Sequence, residues 1–210
     1  MRYFTTILLT LMTFAVLAQS DPKAKAILDK AATKFKAYSA AEIDFTFSME
    51  NPAENINESH KGKAWMKGNL YKLNLMDVEN YYDGKNLYTY MPEVKEVNIK
   101  NPSSEEGEML NNPASLFDIY QKGFDQKLIS TTNGIAYIEL MPTVKKNFTK
   151  VGIWVNVATS SIQKVTSFGK DGNNIVISIQ SIKPLTPTPA DSFFQFDSVK
   201  HPDVEVVDMR

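Results

Sequence analysis

Residues 62–75 read GKAWMKGNLYKLNL, a strand–turn–strand pattern from which the fold can be predicted. Tyr71 and Leu73 alternate with lysine and asparagine after the dipeptide Gly68-Asn69, which is typical of a half-buried β-strand. Such dipeptides supply the positive φ angles that a tight hairpin turn needs. Similar turns are predicted further along the chain at Asp83-Gly84, Asn133-Gly134 and Asp171-Gly172. Four such turns predict a meander of antiparallel strands.

The alternation predicts about eleven strands in one sheet. We expect an α+β, mostly β fold with a single strongly curved antiparallel sheet. The predicted strands are 42–50, 59–67, 70–77, 79–83, 86–91, 94–100, 124–132, 135–141, 147–157, 160–169 and 174–183. A further short strand is expected at Phe194 to Phe196.

Helical patterns are confined to two places. Asp21 and Pro22 form a helix start, and apolar residues then recur at helical spacing to Tyr38, so an amphipathic helix is predicted over residues 22–38. Between Pro102 and Gly123 a short helix capped by Ser103 or Ser104 and a second one from Pro113 are expected. These short helices would cover one face of the sheet.

The N-terminus has the pattern of a secretory signal peptide. Arg2 precedes the eleven apolar residues Ile7 to Leu17, and Val16 and Ala18 fit a cleavage site before Gln19. Residues 1–18 are therefore predicted to be removed, leaving one domain over residues 19–210. The chain has no cysteine, so neither disulfides nor lipid attachment at such a residue is expected. We expect a periplasmic protein.

The composition offers little chemistry. The formal net charge of −1 disfavours nucleic acid as a partner, and the two histidines, His60 and His201, lack metal-ligand spacing. No nucleophile elbow, phosphate-binding loop or dinucleotide fingerprint is present. The sequence therefore predicts no enzyme activity, no metal and no cofactor.

Apolar and aromatic residues are abundant on the predicted strands. They could form an ordinary core under the helices, and alternation alone does not tell which face of the sheet each one occupies. Alternatively, three short helices would cover too little of so broad a sheet, and the uncovered concavity would bind an apolar ligand. The tyrosines of the hairpin around Asp83-Gly84 would then suit the rim of the cavity.

Three motifs in this order resemble those of the outer-membrane lipoprotein carrier (LolA) family. They are the block Gly62 to Lys67 followed by Asn69-Leu70-Tyr71, the hairpin Tyr82 to Pro92, and the closing segment Val204 to Arg210. The resemblance covers nearly the whole mature chain. It implies an incomplete barrel in which short lid helices enclose an apolar cavity. It also implies a monomer that carries the acyl chains of lipoproteins in this cavity, from an inner-membrane ATP-driven releasing complex to an outer-membrane acceptor.

The physics of acyl chains is consistent with such a carrier. Exposing a sixteen-carbon chain to water costs on the order of 12 kcal/mol at about 0.8 kcal/mol per CH₂ group. The residues expected to line the cavity are large and apolar, and Tyr71 and Leu73 correspond to cavity positions of the family. The full set is Phe45, Phe47, Trp65, Tyr71, Leu73, Tyr88, Tyr90, Leu116, Phe117 and Trp154.

The sequence departs from the family at one position. Typical members carry Arg-Pro after the Trp-x-Lys, and the arginine ties the lid shut, whereas here Gly68 follows Lys67 directly. Lys67 is the candidate for closing the lid, although an ammonium lacks the planar fork of a guanidinium. A module that binds another lipid or senses lipoproteins for envelope signalling is the alternative, and a secreted lipid-acting enzyme a third, for which no nucleophile–base pair is found.

Overall fold

The single long helix, α1, spans Pro22–Lys36 in a computed structural model that describes residues 21–102 and 113–210. Asp21 caps α1, because its carboxylate accepts a hydrogen bond of 2.8 Å from the backbone N–H of Lys23. The same carboxylate accepts a second bond of 3.2 Å from the backbone N–H of Leu128. The cap therefore also fastens the start of α1 to the sheet, and the predicted helix is confirmed.

In the described part of the chain, twelve strands form one sheet in the order β12-β6-β5-β4-β3-β2-β1-β11-β10-β9-β8-β7. The eleven predicted strands are all present, and β12 is additional. Their bounds are β1 Ala41–Asn51, β2 Ile56–Lys67, β3 Leu70–Leu75, β4 Val78–Tyr82, β5 Leu87–Met91, β6 Glu96–Lys100, β7 Phe124–Thr132, β8 Ile135–Pro142, β9 Phe148–Asn156, β10 Ser161–Gly169, β11 Asn174–Pro184 and β12 Glu205–Asp208.

Hairpins account for most of the strand order. The four predicted turn dipeptides lie between β2 and β3, β4 and β5, β7 and β8, and β10 and β11. At the β7–β8 turn, Asn133 and Gly134 have φ angles of 51° and 78°, the left-handed pair that a two-residue hairpin favours. The turn residues therefore fix the register of each hairpin locally.

One pair among these twelve described strands is parallel, which the hairpin pattern did not predict. β12 pairs with β6 from Glu205 opposite Glu96 to Asp208 opposite Ile99. Only strands joined by a short turn must be antiparallel, and β12 returns to the sheet through a long connection that leaves its direction open. Within that connection, the predicted strand at Phe194 to Phe196 is wrong, since a 3₁₀ helix occupies Asp191–Phe194.

The region between β6 and β7 is described from Pro113 onwards. The helix expected from Pro113 is present as two 3₁₀ helices, Pro113–Phe117 and Ile119–Gln121. We call them together the 113–121 segment. The expected helix capped by Ser103 or Ser104 and the expected signal peptide lie outside the described residues.

The two faces of the sheet are covered by different parts of the chain. We call the face under α1 the inner face; on it Leu28 of α1 and Ile138, Ile153 and Val165 of the sheet belong to one buried core. The opposite, outer face carries a second, smaller core at β4 to β6. There Tyr81, Tyr88 and Val97 pack with Phe196 from the C-terminal segment.

Candidate functional site

The inner face carries a row of apolar residues across the central strands. Ile43 of β1 lies opposite Ala64 of β2, which in turn lies opposite Leu73 of β3. Two residues further along β1, Phe45 lies opposite Gly62. Because side chains two residues apart share a face, these residues form one continuous apolar surface.

An apolar cavity lies between this surface and the 113–121 segment. Its volume is about 30 Å³, on the scale of a single water molecule, so it is nearly filled in this structure. Every residue that lines it is apolar. The lining consists of Ile43, Phe45, Ala64, Leu73, Leu75, Pro113, Leu116, Phe117, Ile177 and Ile179.

Three contacts tie the 113–121 segment to α1. The rings of Phe117 and Phe35 stack with centroids 3.6 Å apart and planes 2° apart. Lys36 forms an ion pair of 2.8 Å with Asp118. The hydroxyl of Tyr120 donates a hydrogen bond of 2.8 Å to the carboxylate of Asp29 in α1. One side of the cavity is thus held by an aromatic stack and by polar contacts near the protein surface.

The Tyr120 side chain is itself buried, and this residue makes two hydrogen bonds at the attachment. Its hydroxyl donates to Asp29, while its backbone carbonyl accepts a bond of 2.7 Å from the Gln126 amide. Burial, with the neighbouring Asp29 carboxylate, raises the pKa of Tyr120 to about 12. The pKa of Asp29 is lowered, first by its hydrogen bond from Lys25 and then by the one from Tyr120. The tyrosine is therefore the donor and the aspartate the ionised acceptor at neutral pH.

Six of the ten predicted cavity residues lie on the cavity side of the protein. Phe45, Leu73, Leu116 and Phe117 line the cavity directly. The two others, Phe47 and Tyr71, are buried in the same core without lining the cavity. Burial raises the pKa of Tyr71 well above the ordinary tyrosine value.

The other four predicted residues lie on the outer face. Trp65 stands opposite Glu42 and Lys72, and Trp154 opposite Tyr137 and Lys164, all on the outer side. On β5, Tyr88 and Tyr90 belong to the small core under the C-terminal segment. Successive side chains of a strand point to opposite faces, and these four side chains point away from the cavity. The structure therefore does not bring them to the cavity.

Both tryptophans are engaged in polar and aromatic contacts on the outer face. The indole N–H of Trp65 donates a bond of 2.9 Å to Glu42, and its ring meets Phe193 edge to face. Trp154 stacks on Tyr137 with centroids 4.5 Å apart, and the Lys164 ammonium lies 3.8 Å from its ring centroid. These rings cover the sheet from outside.

Lys67 lies away from the 113–121 segment. Its ammonium donates to the carbonyl of Pro189 at 2.9 Å and to the carboxylate of Asp191 at 2.7 Å. Lys67 therefore holds the start of the C-terminal segment against the outer face. The 113–121 segment is held instead by its contacts with α1 and by the hydrogen bond from Gln126 of β7.

Sequence reasoning missed part of the cavity wall. Ile43, Ala64 and Ile179 line the cavity but were not among the predicted site residues. Ile43 and Phe45 are two residues apart on one strand, so alternation already placed them on one face. Ala64 could not be predicted from its residue type, because a side chain this small reaches the cavity only through its position between larger neighbours.

The histidines and carboxylates do not assemble a metal centre. Among residues 21–102 and 113–210 no group of three His, Cys, Asp or Glu side chains could hold a metal ion. His60 is exposed, and His201 packs against the rings of Tyr90 and Phe196, with centroid distances of 5.0 Å and 5.2 Å. In the same part of the chain, no helix is long and apolar enough to cross a membrane.

The described residues form an open sheet with one long helix over an apolar inner face. The family model described as "Outer membrane lipoprotein carrier protein LolA" matches residues 11–173, well over half of the chain. The chain therefore belongs to this family, and the resemblance read from the sequence motifs is confirmed. No curated protein matches the sequence.

Solved structures agree with this fold. A conserved protein from Thermus thermophilus is 10% identical with a TM-score of 0.57, and the match covers 89% of this chain and 99% of that one. A DUF1329 family protein from Desulfovibrio piger is 15% identical with a TM-score of 0.50, covering 84% and 98%. A LolA superfamily protein from Nitrosomonas europaea is 16% identical with a TM-score of 0.46, covering 83% and 98%. At such identities the first two share the fold alone.

Proposed function

We propose that this protein is a periplasmic carrier that binds the acyl chains of lipoproteins on its inner face. The observation that supports the proposal is the cavity whose lining is wholly apolar, from Phe45 and Leu73 on the sheet to Phe117 on the 113–121 segment. An apolar surface of this kind binds an acyl chain because transfer of the chain out of water is favourable. Membership of the carrier family supports the same ligand class.

The 113–121 segment acts as the lid in this proposal. At about 30 Å³ the cavity is too small for an acyl chain, so Leu116 and Phe117 must move outward when a ligand binds. The contacts that hold them include the ion pair between Lys36 and Asp118, whose side chains are 56% and 45% exposed. Exposed ion pairs contribute little stability, about 0–1 kcal/mol. A lid held in this way closes the empty cavity and still yields to a ligand.

The route in this proposal is the one that the family resemblance implies. Acylated lipoproteins leave the inner membrane with an ATP-driven releasing complex, travel as a soluble complex with one monomer of the carrier, and pass to an acceptor in the outer membrane. The chain must be shielded in the aqueous compartment between the membranes, because exposing a sixteen-carbon chain to water costs on the order of 12 kcal/mol.

Transfer of a labelled lipoprotein tests the proposal. Inner-membrane vesicles that carry the lipoprotein and the releasing complex are incubated with ATP and the mature protein. A soluble one-to-one complex is the expected result. Ala64→Leu, which fills the cavity, should abolish the complex, whereas Asn74→Leu on the outer face is the matched control. Absence of the complex with the unaltered protein would overturn the carrier proposal.

A second candidate function is binding of another lipid, or sensing of lipoproteins, by the same cavity. The position of Lys67 favours it, because the residue at the place of the family's arginine contacts Pro189 and Asp191 rather than the 113–121 segment. Free fatty acid bound at the cavity, with no lipoprotein released from the vesicles, would favour this function over the carrier.

A further inference from the structure

The sheet is split at one end between β10 and β11. Their ladder stops at Lys164 opposite Ser178, although β10 begins at Ser161 and β11 continues to Pro184. Beyond this point β10 pairs only with β9, and β11 only with β1. The two strands diverge there and leave a gap in an otherwise continuous sheet.

Each of the diverging strands carries an extra residue. Gln163 lies between the β9-paired residues Ile162 and Lys164 and has no partner of its own. Gln180 interrupts the pairing of β11 with β1 in the same way, between Ile179 and Ser181. Such bulges redirect side chains and are common beside functional sites. Here both extra residues are glutamines, and both face the gap.

A pocket of about 210 Å³ occupies the gap, beneath the last turns of α1. We call it the split pocket. Phe117 and Ile179 line both the split pocket and the apolar cavity, so the two spaces lie side by side. The polar residues of the split pocket include Lys34, Tyr38, Ser161, Gln163 and Gln180.

The split pocket offers hydrogen-bond donors and no carboxylate. The Lys34 ammonium donates to the carbonyl of Thr159 at 2.6 Å and to the hydroxyl of Ser161 at 2.8 Å. An ammonium has three donors, so one remains for a ligand. The side-chain amides of Gln163 and Gln180 add neutral donors, and none of the residues that line the pocket is acidic.

We propose that the split pocket binds the oxygen-bearing head of an acyl ligand, either its ester or amide carbonyls or its carboxylate, while the chain lies in the apolar cavity. The inference rests on the proposed function, because it assumes an acyl ligand. At about 210 Å³ the pocket is smaller than sites for whole ligands, about 300–1,000 Å³, and fits a part of one. Its donors match carbonyl and carboxylate oxygens, which accept hydrogen bonds and donate none.

Ligands that share a chain and differ in the head test this inference. Laurate, methyl laurate and dodecane each compete with an environment-sensitive hydrophobic dye on the full mature protein. Lys34→Met should weaken binding of laurate by about tenfold, since a hydrogen bond from a charged group is lost. Dodecane has no head, so its affinity should not change.

Matched variants separate charge from packing. Lys30→Met removes an exposed lysine one turn earlier on α1 and should behave as the unaltered protein. Lys34→Arg should restore laurate binding. Gln163→Ala with Gln180→Ala should weaken methyl laurate, because an ester depends more on neutral donors than a carboxylate does.

Two outcomes would overturn the inference and are distinguishable. If the unaltered protein binds all three ligands and the Lys34 and glutamine variants bind laurate and methyl laurate equally well, the head does not occupy the split pocket, while acyl binding stands. If the unaltered protein binds none of the three, the proposed function fails and this inference fails with it. Thermal melts of each variant show that the loss is not unfolding.

Discussion

The ring of Phe45 occupies the space above Gly62, its partner across the β1–β2 ladder. A Cβ at Gly62 would lie 2.8 Å from Cε1 of the ring and closer still to its far end. The glycine therefore lets the ring lie against the backbone, and the ring in turn forms part of the cavity wall. This pair couples the packing of the sheet to the size of the cavity.

Gly62→Ala should push the Phe45 ring into the cavity. Overpacking of this kind costs about 1–3 kcal/mol of unfolding free energy, which denaturant titration measures. Affinity for an acyl chain should fall at the same time, because the ring takes up the volume that the chain needs. The double variant Gly62→Ala with Phe45→Leu should recover much of the stability. A single variant as stable as the parent, with unchanged binding, would contradict this account.

The two tryptophans should report poorly on a bound acyl chain. Trp65 and Trp154 are the only tryptophans, and both lie on the outer face. A brominated fatty acid quenches indole fluorescence only at short range, so we expect weak quenching on binding. Phe117→Trp, which places an indole in the cavity wall, is the positive control and should be quenched strongly. Strong quenching in the unaltered protein would place the chain on the outer face.

Much of the fold could be predicted from short-range signals. The cap at Asp21 and Pro22 and the four turn dipeptides act within a few residues, and all of them are confirmed by the structure. β12 gave no such signal. It joins β6 in parallel after a long connection, and no local residue specifies that partner.

The faces of the strands were harder to predict than the strands themselves. Alternation correctly placed Tyr88 and Tyr90 together, but their face depends on Phe196, which covers them from far along the chain. Trp65 did carry a local signal. Its neighbours on the same face are Lys63 and Lys67, and such polar company indicates the solvent side. A prediction that considered all side chains on this face of β2, and not only the largest one, would have excluded Trp65 from the cavity.

Lys67→Ala should leave the lid unaffected. Lys67 pairs with Asp191, whose side chain is 75% exposed, so the loss of stability should not exceed about 1 kcal/mol. The rate at which a hydrophobic dye enters the cavity, followed by stopped-flow fluorescence, should be unchanged. Lys36→Ala is the matched comparison, since it removes the ion pair with Asp118 and should speed dye entry. Faster entry in the Lys67 variant would restore that residue as the lid-closing group.

The hydrogen bond from Tyr120 to Asp29 should make lid opening depend on pH. Folding lowers the pKa of Asp29. The stabilisation that the ionised carboxylate gives to the folded protein is therefore complete above the ordinary aspartate pKa of about 3.9, and it is lost as the pH falls through the lowered pKa. At neutral pH, Tyr120→Phe should speed dye entry about fivefold, which corresponds to about 1 kcal/mol for one hydrogen bond to a partly exposed carboxylate. Below pH 4 the parent should approach the variant, because the carboxylate that accepts the bond becomes protonated. A constant ratio of the two rates across this range would show that Tyr120 does not hold the lid through Asp29.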